Sequence, residues 1–129
     1  MPVKTEHRGL AYVGRTLGAR APSLFYHLVQ RVLVDGQWGE GTTESHYLAD
    51  LHLAVGNAAA QLAIYQRRGG HIAIAVAPTD SVVPLERQGW RSFSHLLVVY
   101  STDRGMIVTG YQFSDPAQTG IPAEARWLK

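Results

Sequence analysis

Six histidines are the side chains of this 129-residue chain that change charge near neutral pH without special tuning, and their neighbours decide what each can do. His46 precedes Asp50 by one helical turn, a spacing that lets a carboxylate orient an imidazole for general acid–base work. His52 lies on the opposite flank of the same stretch, about 120° away at 3.6 residues per turn, so the two histidines do not serve one site. His71 closes the run RRGGH, where the guanidinium groups of Arg67 and Arg68 favour a neutral, proton-accepting imidazole and suit a phosphate. Arg91 and His95 stand four apart at the start of an apolar run and form a second candidate phosphate pair. Thr109 and Tyr111 are two apart, so on a strand both hydroxyl groups leave the same face of the sheet.

Other chemistries find no support in the residues. There is no cysteine, which removes disulfides, thiolate nucleophiles and zinc ribbons. No HExxH, calcium-loop acidic pattern, GxSxG elbow, GxGxxG run or phosphate-loop lysine motif occurs, so neither a metal nor a nucleotide cofactor is expected. Trp38, Trp90 and Trp127 read as core aromatics or as base-stacking groups.

The elements that must position these residues can be read from periodicity. Phe25, Leu28, Val29, Val32 and Leu33 form a helical stripe from an Ser23 cap to Gly36. Thr43 caps a second helix, with Glu44 in its first turn, a stripe of Tyr47, Leu48, Leu51, Ala54 and Val55, and a stop at Gly56 and Asn57. Extended runs follow at 61–66 and 71–76, joined through Gly-Gly. A Gly69–Gly70 loop would set Arg67 opposite Ile72 and Tyr65 opposite Ile74. Residues 77–94 read as a long connection with a short helical turn, of the kind that carries function. The run HLLVVYSTDRGMIVTGYQF is a second hairpin, with Gly105 supplying the positive φ of its loop. Its register decides the site, because a one-residue slip would send Thr109 and Tyr111 to the other face. The first 21 residues carry no firm assignment, and Ile121, Trp127 and Leu128 of the tail are candidates to dock on the core. The expected fold is therefore one α+β domain over residues 1–129, with two N-terminal helices packed on one face of a four-stranded antiparallel sheet made of two β-hairpins.

At 14.2 kDa the chain fits one core. It is 46% hydrophobic and 17% charged, and no apolar run approaches the roughly 20 residues that span a bilayer. The beginning of the sequence has no apolar segment of the secretory kind, so the expectation is a cytoplasmic protein with no membrane partner. Ten Arg and two Lys against ten acidic residues give a net charge of +2 and a pI near 9.2. The preference for Arg is compatible with a nucleic-acid partner.

The order helix, helix, hairpin, hairpin, ending in LLVVYSTDRGMIVTGYQ, resembles the metal-independent ribonuclease toxins of the barnase, EndoU, colicin and RelE-like superfamily, in particular their phage-associated branch. The order of elements matches over residues 43–113, and side chains match over 95–113, where Ile107, Val108, Thr109 and Tyr111 fall on the family's final-hairpin pattern. The resemblance implies RNA cleavage through the 2′-hydroxyl, and a protein antitoxin as partner. Thr109 and Tyr111 carry over by motif position as catalytic candidates. His46 and His71 join them on chemistry, with Arg67, Arg68, Arg91 and His95 as substrate-binding candidates. The competing reading is a non-enzymatic interaction module that self-associates, as a homodimer, through apolar faces and an outer strand left uncovered by short helices.

Overall fold

A computed structural model describes residues 27, 28, 30–67, 70–103, 106–116 and 119–129. The assignments made above for the first 21 residues, Ser23, Phe25, Val29, Arg68, Gly69, Gly105 and the side chain of Arg67 lie outside the described residues.

Helix α1 spans Glu44–Gly56 and forms where the capping chemistry and apolar stripe coincide. Thr43 holds extended dihedrals and its side-chain oxygen accepts the His46 N–H, relieving one of the unpaired donors of the first turn. Tyr47, Leu48, Leu51, Ala54 and Val55 are buried, as their spacing requires, and Asn57 terminates the helix.

Five strands, β1 (Gln61–Arg67), β2 (Gly70–Pro78), β3 (His95–Ser101), β4 (Met106–Phe113) and β5 (Arg126–Trp127), form one antiparallel sheet in the order β4-β3-β2-β1-β5. The expected two helices and four strands thus need correction on both counts. The fifth strand comes from the tail, where Arg126 and Trp127 pair with Ile64 and Ala63 of β1. Before α1, the described chain holds a π-helical turn at Gln30–Val34, closed by an Asp35 N–H bond to the Gln30 carbonyl at 3.0 Å. Gly36 follows at φ 63°, the left-handed conformation that ends such a turn, and a Cβ there would lie 2.2 Å from the Trp90 ring.

α1 covers one sheet face, on which Ala73, Ala75 and Ala77 of β2 make room for it and Leu96, Val98, Tyr100 and Ile107 complete the core. The opposite face does not stay open, as the sequence had suggested. Ala63, Ile74, Val76, Leu97 and Phe113 pack there, with Ile121 and Ala125 of the tail against them. Among the described residues no helix is long and apolar enough to cross a membrane.

The β1–β2 register is displaced from the expected one: Arg67 pairs with Gly70 and Tyr65 with Ile72. Each partner moves by two residues, which preserves the face of every side chain. The β3–β4 hairpin contains a bulge. Tyr100 pairs with Ile107 but Val99 pairs with Thr109, leaving Val108 as the extra residue.

Candidate functional site

The bulge at Val108 builds the site. Ile107 faces α1, and strict alternation would send Thr109 and Tyr111 the same way; the extra residue puts them opposite Val99 and Leu97, on the far face. Gly110, between them, faces α1, where a Cβ would meet the Leu51 side chain at 2.3 Å. β4 is an edge strand, and two of its backbone groups, the Gly110 carbonyl and the Gln112 N–H, are taken up by Tyr47 of α1 and by the segment before it. The Gly110 carbonyl accepts from Tyr47 Oη at 2.8 Å and Arg31 Nε at 2.8 Å. The Gln112 N–H donates to Gln37 Oε1 at 2.6 Å, and its side-chain amide donates to the Gln37 carbonyl at 2.7 Å.

Arg31, delivered by the π-helical turn, is the hub. Besides Gly110, it donates through Nη1 to Asp35 Oδ2 at 3.0 Å and through Nη2 to Thr109 Oγ1 at 3.3 Å, and its Cζ lies 5.4 Å from the centre of the Tyr111 ring. Its side chain keeps only 13% exposure, so the guanidinium is held rather than left to wander. Thr109 Oγ1 also lies 3.2 Å from His27 Nδ1, a bond in which either atom can donate. His27, Arg31, Thr109 and Tyr111 thus form one connected set.

A cleft of about 320 Å³ opens beside this set. Arg31, Asp35 and Gln37 line it from the turn, Tyr111, Gln112 and Phe113 from β4, and Arg91 and Phe93 from the loop before β3. Arg91 is brought there by backbone pairing between two loops. Trp38 and Gln88 form an isolated bridge, Gly89 N–H donates to the Gln37 carbonyl, and Arg91 N–H donates to the Gly36 carbonyl. The Arg91 guanidinium rests over Phe93 at 5.0 Å and Trp90 at 5.9 Å. Burial pushes the Tyr111 hydroxyl above its ordinary pKa, against the attraction of Arg31 and with help from Tyr65, so it remains a neutral donor; its acceptor is the Thr119 carbonyl.

The other sequence candidates go elsewhere. His46 is exposed on the first turn of α1. Asp50, expected to orient it, is fully buried and accepts instead from Trp38 Nε1 at 3.1 Å and from Arg87 Nε and Nη2 at 3.1 and 2.6 Å. That pairing raises the Arg87 pKa and ties α1 to the 79–94 connection. His71 sits at the hairpin end of the sheet, where its N–H donates to Asp103 Oδ2 at 2.6 Å and its Nδ1 lies 3.4 Å from Oδ1. The His71 N–H bond is the main reason the Asp103 carboxyl falls below its usual range. Tyr111 shares a row with Leu97 and Val76, five residues along β2 from His71 or about 17 Å, so the RRGGH tip and the cleft are separate places. His95 parts from Arg91: its ring stacks on Phe113 at 5.6 Å, its Nδ1 bonds Ser94 Oγ at 2.7 Å, and it lines a different pocket.

The chain shows no match to any protein-family model, curated protein or solved structure. Among the described residues no group of three or more His, Asp or Glu side chains could hold a metal ion. His27 and Arg31 were the residues that sequence reasoning did not single out. The signal is the recurrence of His27, Arg31 and Asp35 every four residues, which places them on one helix face, beside a stronger apolar stripe in the same segment.

Proposed function

We propose that the chain is a metal-independent ribonuclease of the toxin type, acting in the cleft between Arg31 and Arg91. The observation that carries this reading is a cleft lined by Arg31, Tyr111 and Arg91, with Thr109 bonded to Arg31 and His27 bonded to Thr109 beside it. Two guanidinium groups suit the doubly charged phosphorane that forms when a 2′-hydroxyl attacks the adjacent phosphate. His27 accepts the 2′-hydroxyl proton, in place of His46 or His71. Tyr111 exchanges its Thr119 acceptor for the departing 5′-oxygen and protonates it. The O2′–P bond forms as the P–O5′ bond breaks, leaving a 2′,3′-cyclic phosphate and a 5′-hydroxyl. Thr109 positions Arg31 against His27. The resemblance of residues 95–113 to the ribonuclease toxins points to the same chemistry, and with it to a protein antitoxin as partner.

The test is incubation with RNA in excess chelator, with product ends analysed. Wild type is expected to give cyclic phosphates, with Arg31→Ala lowering kcat about 100-fold or more and His27→Ala by a similar factor. RNA left intact by well-folded wild type overturns the reading. The rival reading, a self-associating module, drew on free sheet edges and faces; here β5 flanks β1, residues 31–37 bond to β4, and the tail packs on the second face.

A further inference from the structure

We infer that the pocket on the other side of Phe113 is a nucleobase subsite of the same substrate channel, an inference that rests on the ribonuclease reading and specifies its substrate contact. The pocket has a volume of about 240 Å³ and lies where the tail folds over the second sheet face. That is below the roughly 300–1,000 Å³ of sites for drug-sized ligands and suits one planar heterocycle. Its walls are Val76, Ile121 and Trp127, with His95 and Phe113 as an aromatic pair tilted by only 22°. Gln61 and Ser114 supply polar groups for a base edge.

Two features join this pocket to the phosphate cleft. Phe113 lines both, so a nucleotide with its phosphate against Arg31 and Arg91 has its base directed past that ring. Thr119, a wall of the pocket, is held in place by the Tyr111 hydroxyl from the cleft side. Because Ser94 fixes the His95 ring through Nδ1, the stack is organised before any base arrives. An aromatic platform beside a phosphate site recognises bases through their π-faces. His95 therefore contacts the base, not the phosphate that its spacing from Arg91 had suggested.

The experiment compares binding of the four nucleoside 3′-monophosphates with that of ribose 5-phosphate, which lacks a base, by titration calorimetry on the whole chain. At least one nucleotide is expected to bind about tenfold tighter than ribose phosphate, the gain of one stacked base. His95→Ala is expected to remove that difference while leaving ribose phosphate affinity unchanged. Equal affinity for nucleotides and ribose phosphate in wild type overturns the subsite, as does a difference that survives in His95→Ala. RNA cleavage measured in parallel separates the two readings. Cleavage without a base-dependent gain removes only the subsite, and a base-dependent gain without cleavage removes only the nuclease.

Discussion

Arg31 shows why a single guanidinium is hard to replace at this site. Its Nε, Nη1 and Nη2 each reach a different acceptor, on Gly110, Asp35 and Thr109, and a lysine ammonium has no such fork. Tyr47 shares the Gly110 carbonyl with it, and burial pushes the Tyr47 pKa far up from 10.0. A raised folded pKa means that the unfolded chain ionises first. Stability is therefore intact below pH 10.0 and falls as the pH rises beyond it towards the folded value. Tyr47→Phe is expected to cost about 1 kcal/mol at pH 7, because Arg31 still serves the carbonyl, and to flatten the alkaline loss. Urea denaturation of both proteins at pH 7 and pH 11 checks this; an equal alkaline loss in the two would show that Tyr47 is not its source. At this scale the sequence was readable only where a motif fixed the chemistry. Thr109 and Tyr111, read from the sequence, lie together beside Arg31, whereas Arg91 and His95, read as a pair, line different pockets. His27 and Arg31 went unnoticed because their partners are 82 and 78 residues away along the chain.

Element by element, legibility tracks local signals. α1 was readable from cap to stop because Thr43, the apolar stripe and Asn57 all act within the helix itself. β5 was not, since two exposed residues carry no alternation and the strand exists only through its pairing with β1. The bulge was equally invisible, although the site depends on it: pairing partners, not the identity of Val108, reveal the shift. Gly36 is the element-level constraint most open to test. Its φ of 63° strains any L-residue, and Trp90 fills the space of a Cβ. Gly36→Ala is expected to destabilise by about 1–3 kcal/mol and to weaken phosphate binding, since the Gly36 carbonyl holds the Arg91 backbone. Thermal unfolding together with phosphate titration checks both effects, and unchanged values would show that the loop pairing does not position Arg91.

Across the whole molecule, the net charge is only +2, so the account places RNA binding in a compact cationic cleft and not on a broad basic surface. Neutralising one or two phosphates gives a slope of about −0.7 to −1.4 for log affinity against log salt on single-stranded RNA. A slope several times steeper would place much of the binding outside the cleft. The antiparallel α+β architecture was legible because both hairpins announce themselves, and Ile121 was readable as a docking residue of the tail; the tail's pairing as an edge strand was not, as it is decided by long-range contacts. The central claim is that Arg31 and His27, joined through Thr109, form a metal-independent RNA-cleaving centre. The most direct test is cleavage of RNA in excess chelator by wild type, Arg31→Ala and His27→Ala, each first shown to be folded. The account predicts cyclic-phosphate products from wild type and a loss of about 100-fold or more in both variants. Intact RNA with wild type, or equal cleavage by all three proteins, would contradict it.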